Sequence, residues 1–336
     1  MGSGLTCDED YMQRAVSLAA GVRGTTAPNP WVGCVVVVPG PGEPAVFEGA
    51  TRPPGGPHAE VVALDAAARA GGATGATLYT TLEPCSHTGR TPPCVDRVTA
   101  AGVVRVVVGV LDPDERVAGS GVEALRAAGV EVVVGVGSDA VSQQLAPYLK
   151  HRRTGRPWVV LKLATTLDGR IAAPDGSSRW ITGEAARNDA HRLRAQSDAV
   201  LVGAGTVRAD DPELTARLDP PAPRQPLRVV LGRVPAGSRV EPALEVSGDL
   251  GTVLDDLGAR GVLQVLVEGG AQVAGAFHRG GLVDRYVLYL APVFAGGDDG
   301  RSAFAGPGAR NVADFVRGTI VSVDRVGDDL RVEVAA

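Results

Sequence analysis

The sequence predicts an α/β protein of two domains. Short runs rich in Val and Leu alternate with helical stretches along the chain, a pattern typical of sheets covered by helices. At 336 residues the chain is longer than one core usually organises, and 44% of it is hydrophobic. The stretch 143–157 is rich in Lys, Arg and His and ends in the breakers Gly155 and Pro157. We therefore expect a first domain over 1–147, a linker over 148–157 and a second domain over 158–336.

Helices and strands alternate in the first domain, which indicates an α/β/α sandwich around a mixed sheet. The expected helices are 10–20, 59–68, 94–101 and 120–128, and the expected strands are 32–38, 45–50, 76–82, 103–109 and 130–134. The second domain has the same alternation. Its expected strands are 158–164, 199–202, 227–231 and 263–267, and its expected helices are 184–196 and 271–279.

Residues that can bind a metal stand at the ends of these elements. His58 and Glu60 lie at the start of a helix, Cys85 follows a strand, and Cys94 opens the next helix. One imidazole and two thiolates leave the fourth position of a tetrahedral zinc open, as a catalytic zinc requires. A carboxylate beside that position can take a proton from zinc-bound water and pass it to a leaving amine. We expect Zn²⁺ on His58, Cys85 and Cys94, with Glu60 as the catalytic proton shuttle; a packed histidine and two core cysteines are the simpler alternative.

Composition limits the choice of partner. The net charge is −5 and the chain has no basic run, which disfavours nucleic-acid binding because that depends on clustered Lys and Arg. No apolar run approaches the length of a membrane span. Of four cysteines, two are assigned to metal and Cys34 lies in an apolar strand, so we expect no disulfide. These features favour a cytoplasmic enzyme that acts on a small molecule.

Two strands of the second domain run into paired glycines, Gly203-Ala-Gly205 and Glu268-Gly269-Gly270. A strand, a glycine turn and a helix let backbone amides approach a phosphate. The same pattern is also that of an ordinary tight turn, and the third glycine of a dinucleotide fingerprint is missing. The residues alone leave a cofactor site open here.

Longer motifs resemble the bifunctional riboflavin-biosynthesis deaminase/reductase family. The quoted motifs are Ala27-Pro-Asn-Pro-Trp-Val-Gly-Cys34, His58-Ala-Glu-Val61, Leu82-Glu-Pro-Cys-Ser-His-Thr-Gly-Arg-Thr-Pro-Pro-Cys94, Asp112-Pro-Asp-Glu-Arg-Val-Ala-Gly-Ser-Gly121 and Thr165-Thr-Leu-Asp-Gly-Arg170. Eight residues separate the two cysteines, instead of the two of other zinc deaminases. The resemblance covers nearly the whole chain. It implies a cytidine-deaminase-like first domain and a dihydrofolate-reductase-like second domain.

The resemblance also implies a two-step reaction. In the first step, zinc-hydroxide hydrolytic deamination converts 2,5-diamino-6-ribosylamino-4(3H)-pyrimidinone 5′-phosphate to the uracil derivative. In the second, NADPH reduces the ribosyl chain to give 5-amino-6-ribitylamino-uracil 5′-phosphate. A homo-oligomer, dimer or higher, is implied as well.

Site residues follow from the resemblance position by position. The implied NADPH contacts are Ala164, Trp180, Thr206, Asp210 and the stretch Gly270, Ala271, Gln272, Val273, Ala274, Gly275 and Ala276. The implied substrate contacts are Ser178, Arg194, Leu214, Arg217 and Glu268, and further candidates in the deaminase are Asn29, His87, Arg90 and Asp112. For Arg194, inside a predicted helix, a solvated surface charge is the plainer interpretation. We hypothesise that Arg233, which follows a strand, binds the 2′-phosphate of NADPH.

The chain departs from the family pattern near the zinc motif. Thr51 stands seven residues before His58, where many relatives have histidine, and Asp114 places a carboxylate where an amide would contact the base. Two other functions stay open on sequence grounds. One is a nucleic-acid deaminase with an accessory domain, and the other is a deaminase whose second half is a degenerate nucleotide-binding or oligomerisation module.

Overall fold

The computed structural model describes residues 7–87 and 92–336, and the chain divides into two compact units, Met1–Gly155 and Arg156–Ala336. Most of the stretch expected as a linker, 148–157, belongs to a helix that ends at Thr154. Its basic residues suit the last turns of a helix, where cations interact favourably with the carbonyl end. Gly155 then ends the helix in the left-handed conformation, at φ 73°.

In its described part, the first unit has five helices and a five-stranded sheet. The elements are α1 Asp8–Val22, β1 Gly33–Val38, β2 Ala45–Ala50, α2 Ala59–Arg69, β3 Thr77–Leu82, α3 Cys94–Ala100, β4 Arg105–Val110, α4 Ser120–Ala127, β5 Glu131–Val134 and α5 Ser138–Thr154. The strand order is β2-β1-β3-β4-β5. β1 pairs antiparallel with β2 and β3, whereas β3, β4 and β5 are parallel, so the sheet is mixed as expected.

Helices cover both faces of this sheet. A Cβ on Gly33 would lie 1.9 Å from the Ala15 carbonyl oxygen of α1, and a Cβ on Gly49 would lie 2.2 Å from the Ala59 carbonyl oxygen of α2. Cys34 pairs with Gly49 across the strands and therefore shares its face. Since successive strand residues point to opposite faces, α1 and α2 lie on opposite sides. The predicted α/β/α sandwich is confirmed.

The second unit contains one large sheet and one small one. Its elements are β6 Trp158–Thr166, β7 Arg170–Ala172, α6 Glu184–Ala195, β8 Ala199–Gly203, α7 Ala204–Asp210, β9 Leu227–Leu231, β10 Leu244–Val246, α8 Leu250–Ala259, β11 Gln264–Val267, α9 Ala271–Arg279, β12 Arg285–Ala291, β13 Arg301–Ser302, a 3₁₀ turn Val312–Asp314, β14 Thr319–Val326 and β15 Asp329–Ala335. The large sheet has the order β10-β9-β8-β11-β6-β12-β15-β14, and β7 pairs with β13. The strands from β10 to β12 are parallel, and β15 and β14 extend the sheet antiparallel.

Alternate residues of the central strands enter two apolar cores. On β6, Val159 and Leu161 pack with α8 and α9, whereas Val160 packs with α6 and α7. Both faces of the parallel strands are therefore covered, which explains their continuous apolar sequence. Across residues 7–87 and 92–336, none of the helices is both long and apolar enough to span a membrane.

Candidate active sites

Three element ends bring the predicted metal ligands together in the first unit. His58 is the residue before α2, Cys85 follows the end of β3, and Cys94 begins α3. The Val95 N–H donates to the Cys85 carbonyl oxygen at 3.3 Å, which returns the chain to the first cysteine after the long insertion. Two helix N-termini thus face the cluster, and their partial positive charge favours thiolates.

The geometry of the three side chains fits zinc. Nδ1 of His58 lies 3.2 Å from Sγ of Cys94 and 3.6 Å from Sγ of Cys85. All three ligand atoms lie within 4.8 Å of one another. Ligand bonds of normal length around one tetrahedral zinc place a nitrogen and a sulfur about 3.5 Å apart. The donor set and its spacing therefore match a zinc site with one position left for water.

Hydrogen bonds among the three ligand side chains shift their pKa values in different directions. A hydrogen bond from the Cys94 thiol lowers the pKa of Cys85 well below its usual range, while the same bond and burial raise the pKa of Cys94. A hydrogen bond to Cys85 raises the pKa of His58. Zinc binding requires deprotonated donors, so the metal would displace the protons that the cluster otherwise shares.

Glu60 lies in the first turn of α2 with only 4% of its surface exposed. Burial raises the pKa of Glu60 to about 7. Burial raises the pKa of the Cys34 thiol, and the nearby charge of Glu60 raises the pKa of Cys34 further. A carboxyl group with this pKa can both take and return a proton near neutral pH, as a proton shuttle must.

The other deaminase candidates lie in different surroundings. Asn29 belongs to a turn in which its carbonyl oxygen accepts from the Thr26 hydroxyl at 3.0 Å. His87 is half-buried, and its Nδ1 has no hydrogen-bond partner in the described part of the chain. Asp112 is buried and accepts a hydrogen bond from the Tyr148 hydroxyl at 3.0 Å. Arg90 lies outside the described residues.

Glu83 is a further residue of this region that the sequence reasoning did not single out. It stands two residues before Cys85 and is 4% exposed. Its carboxylate accepts four backbone hydrogen bonds, from Asp112, Gly119, Gly121 and Val122. The sequence offers no local signal for this role, because every donor lies 29 to 39 residues further along the chain.

A second candidate site lies in the reductase half of the chain. A cavity of about 990 Å³ opens at the carboxyl ends of β6, β8 and β11, where ligands of parallel α/β sheets usually bind. Ten of the predicted cofactor and substrate residues line it. They are Ala164, Trp180, Thr206, Asp210, Gly270, Ser178, Arg194, Leu214, Arg217 and Glu268.

Arg194 and Glu268 form a two-pronged ion pair in this cavity. Nε and Nη2 of Arg194 donate to the two carboxylate oxygens of Glu268 at 2.6 and 2.8 Å. The Arg194 side chain is only 15% exposed. The interpretation of Arg194 as a solvated surface charge is therefore wrong: its helix turns the guanidinium inward onto a carboxylate that follows β11.

Several ionisable residues outside the predicted set also line the cavity, among them Lys162, His191 and Tyr289. Burial lowers the pKa of Lys162, an effect that the charge of Glu268 opposes. His191 contacts the Thr215 carbonyl oxygen through Nδ1 at 3.0 Å and so ties α6 to the segment that carries Leu214. Leu214 has a φ of 54°, an unusual backbone conformation of the kind that clusters at binding sites.

Trp180 lies at the rim of the cavity and is 69% exposed. The guanidinium carbon of Arg187 lies 4.5 Å from the ring centroid, a cation–π contact that supports the ring from one side. Thr206 joins two of the predicted cofactor turns, because its hydroxyl accepts from the Gly270 N–H at 3.2 Å.

Some predicted cofactor residues lie away from the cavity lining. Of the stretch 270–276, Gly270 lines the cavity, and the remainder forms the first turns of α9. The side chains of Val273 and Ala274 pack into a core, and a Cβ on Gly275 would meet the Ala305 carbonyl oxygen at 2.1 Å. Contacts from this stretch would thus come from backbone groups at the helix start. Arg233 is exposed beyond the end of β9, outside the lining.

Comparison with known proteins gives the same division into two halves. The cytidine and deoxycytidylate deaminase zinc-binding region matches residues 5–110, and the RibD C-terminal domain matches residues 157–332. The riboflavin biosynthesis protein RibD of Mycobacterium tuberculosis is 45% identical, over 98% of this chain and 97% of its own. The chain belongs to the RibD family. RibD of Escherichia coli is 41% identical, over 96% and 98% of the two chains.

Solved structures of the family agree with the fold. Acinetobacter baumannii RibD superimposes with a TM-score of 0.88 at 37% identity, with 98% of each chain covered. The diaminohydroxyphosphoribosylaminopyrimidine deaminase/5-amino-6-(5-phosphoribosylamino)uracil reductase of Thermotoga maritima gives 0.87 at 35% identity, again with 98% of each chain covered. The chain is therefore a bifunctional deaminase and reductase of riboflavin biosynthesis that uses Zn²⁺ and NADPH.

Thr51 and Asp114, the two residues near the zinc motif at which this RibD family member departs from the family pattern, both have partners in the structure. Thr51 is 3% exposed, and its hydroxyl accepts from the Val32 N–H at 3.1 Å, so it supports the strand that leads to the site. The Asp114 carboxylate pairs with Arg116 at 2.7 Å and has Arg152 at 3.6 Å. The hydrogen bond from Arg116 lowers the pKa of Asp114 to about 2. The extra negative charge is thus matched by two guanidinium groups.

Proposed function

We propose that the first unit deaminates 2,5-diamino-6-ribosylamino-4(3H)-pyrimidinone 5′-phosphate and that the second reduces the product to 5-amino-6-ribitylamino-uracil 5′-phosphate. The observation that carries the proposal is the buried Glu60 beside the His58, Cys85 and Cys94 cluster, in one chain with the 990 Å³ cavity of the reductase half. The Thermotoga maritima relative, named for this deaminase and this reductase, supports the choice of substrates.

In the deamination, His58, Cys85 and Cys94 would hold the metal and Glu60 would move the proton. When bound, Zn²⁺ lowers the pKa of a coordinated water and so supplies the nucleophile. Glu60 takes a proton from the attacking water as oxygen bonds to C2 of the pyrimidine. It returns the proton to the amino nitrogen, the C2–N bond breaks, and ammonia leaves. The pKa of Glu60, about 7, suits both transfers.

In the reduction, the cavity residues would orient the two reactants. When bound, NADPH would supply a hydride from C4 of its nicotinamide ring to C1′ of the ribosyl group; the C1′–O4′ bond would break, and O4′ would take up a proton to give the open ribityl chain. Trp180, Thr206 and Gly270 lie on the side of the cavity that we assign to the cofactor. The Arg217 side chain is 60% exposed and pairs with Glu213 at 2.8 Å, and a guanidinium group pairs well with phosphate oxygens. Lys162 and the Arg194–Glu268 pair lie deeper, where they would contact the pyrimidine.

We further propose a homo-oligomer that forms through the edge of the large sheet. β14 is one of the two edge strands of this sheet, and its Ile320 and Val323 are 64% and 56% exposed. An apolar edge strand with unpaired backbone groups favours pairing with a second copy of the chain. We place the protein in the cytoplasm, because all four of its cysteines are free thiols, as is typical of a reducing compartment.

A two-stage assay of the purified chain tests the proposed function. With the diaminopyrimidine phosphate and no NADPH, ammonia should be released in proportion to substrate. NADPH added afterwards should then be oxidised in equal amount. Ammonia release with no subsequent NADPH oxidation would reject the reductase substrate, and the absence of ammonia release would reject the deaminase substrate.

A further inference from the structure

Glu83 makes a set of contacts that the proposed chemistry does not use. Its buried Oε1 accepts from the backbone N–H groups of Gly121 at 2.9 Å and Val122 at 3.1 Å. Its Oε2 accepts from those of Gly119 at 3.0 Å and Asp112 at 3.2 Å. All four donors come from one segment, 112–122, and each carboxylate oxygen receives two of them.

These donors lie at the two ends of a loop. Gly119, Gly121 and Val122 form the start of α4, where unpaired N–H groups and the helix dipole favour a carboxylate. Asp112 lies at the other end, just after β4. Glu83 therefore holds both ends of the loop between β4 and α4 with a single side chain.

Inside the loop, two more carboxylates continue the same pattern. Asp112 accepts from the Asp114 N–H at 2.9 Å, and Asp114 accepts from the Arg116 N–H at 3.1 Å. Each carboxylate fixes the backbone two residues further along. Since Glu83 fixes the backbone at Asp112, the positions of Asp112 and Asp114 depend on it.

The loop also touches the metal-ligand segment on both sides of Cys85. A Cβ on Gly121 would lie 2.0 Å from the Pro84 carbonyl oxygen, so the two backbones are in direct contact. On the other side, the hydroxyls of Ser86 and Ser120 are 2.6 Å apart. Segment 83–86 and segment 112–122 thus form one continuous wall beside the zinc ligands.

We propose that Glu83 is a positioning residue that holds the 112–122 loop in the conformation that binds the pyrimidine substrate of the deaminase. The proposal rests on the proposed function and on the family resemblance, which implies that Asp112 and Asp114 lie where the base of that substrate binds. A glutamine side chain can accept on one end only, and its NH₂ group would oppose two backbone donors. The 112–122 loop would then adopt its substrate-binding conformation in only a fraction of molecules, and the apparent affinity for substrate would fall by that fraction.

The test compares Glu83→Gln with Glu123→Gln, the same change at an exposed residue of α4. Amide hydrogen exchange should become faster at Asp112, Gly119, Gly121 and Val122 in Glu83→Gln alone. The KM for deamination should rise about tenfold or more, because two buried donors lose their acceptor. Zinc content and kcat should stay within about twofold of the unmodified protein, since bound substrate holds the loop in its binding conformation.

Unchanged exchange at these four amides, or a native KM, would overturn the proposal, and so would a fall in kcat at a native KM. If Glu83→Gln does not fold, Ser120→Ala removes another contact of the same loop and should give a smaller rise in KM; a native KM there counts against the proposal. The exchange measurement needs no substrate. It therefore decides the role of Glu83 even if the unmodified chain fails to deaminate the pyrimidine and the proposed function falls.

Discussion

Removing the guanidinium of Arg194 should destabilise the reductase unit in a pH-dependent way. Both side chains of the Arg194–Glu268 pair are largely buried, at 15% and 9% exposed, and two hydrogen bonds join them. Their interaction lowers the pKa of Glu268 against the opposing effect of burial. Arg194→Gln would remove the cation that is hydrogen-bonded to a buried carboxylate, a change that typically costs about 3–5 kcal/mol.

Protonation of Glu268 limits how much unfolding free energy the Arg194→Gln variant loses. For a carboxyl with an ordinary pKa of about 4.3, protonation costs about 3.7 kcal/mol at pH 7 and about 1.6 kcal/mol at pH 5.5. In the native protein, the lowered pKa of Glu268 stabilises the fold at pH values above the ordinary pKa of a glutamate. This stabilisation is lost as the pH falls through the pKa of the folded state. In Arg194→Gln we expect burial to raise the pKa of Glu268 instead, against the remaining effect of the Lys162 charge. The difference in unfolding free energy should therefore be about 3–4 kcal/mol at pH 7 and about 1.5 kcal/mol at pH 5.5.

Denaturant unfolding, followed by the fluorescence of Trp158 and Trp180 in this unit, measures the difference at both pH values. Arg192→Gln is the matched control on the same helix, because its side chain is 69% exposed and should contribute less than about 0.5 kcal/mol. Adding Glu268→Gln to Arg194→Gln should recover most of the loss. A loss below about 1 kcal/mol at pH 7, or one independent of pH, would refute the role assigned to the pair.

Four further substitutions test other parts of the two sites. Glu60→Gln should keep its zinc and lose about 10²–10⁴-fold in deamination rate, measured by metal analysis and ammonia release, because proton transfer is lost. Cys85→Ser should weaken zinc binding and deamination but leave NADPH oxidation with the deaminated substrate unchanged, if each unit folds on its own. Arg233→Ala should reduce the preference for NADPH over NADH about tenfold, in the ratio of the two kcat/KM values. Arg116→Ala uncovers the charge of Asp114, so the KM of the phosphorylated substrate should rise about two- to fivefold and more at low salt.

Each of these expectations has a result that counts against it. Substantial deamination by Glu60→Gln would show that another group moves the proton. Loss of both activities in Cys85→Ser would indicate that the units fold together. An unchanged cofactor preference in Arg233→Ala would leave the 2′-phosphate without its proposed partner. A salt-independent KM in Arg116→Ala would mean that Asp114 does not act through its charge.

The zinc site is the part of the molecule that the sequence predicts best. His58, Glu60, Cys85 and Cys94 belong to short motifs at the ends of strong helices and strands, so local patterns locate them. The fold class follows from the same alternation. The basic stretch before Gly155 is harder to predict. Its charge and its Gly and Pro residues suggest a linker between domains, whereas in the structure helix α5 continues to Thr154.

Local sequence patterns do not predict contacts between residues that are far apart in the chain. Arg194 and Glu268 are 74 positions apart, and only the parallel arrangement of β8 and β11 brings their elements together. Glu83 stands inside a motif that draws attention to Cys85, while its own partners come from another loop. No element is predicted after residue 279, whereas that fully described stretch contains β12 to β15. Strands β15 and β14 extend the sheet to its edge, where exposure weakens the apolar pattern that would reveal them.

The fate of the hydride tests the assignment of both activities to one chain most directly. The purified protein would be incubated with the diaminopyrimidine phosphate and NADPH deuterated at the transferred C4 position, and the product examined by mass spectrometry and NMR. We predict a uracil product that has lost one amino group and carries a single deuterium at C1′ of its ribityl chain, with no deuterium in the diaminopyrimidine that remains. Deuterium at another carbon, or a deaminated product without deuterium, would contradict the proposed sequence of reactions.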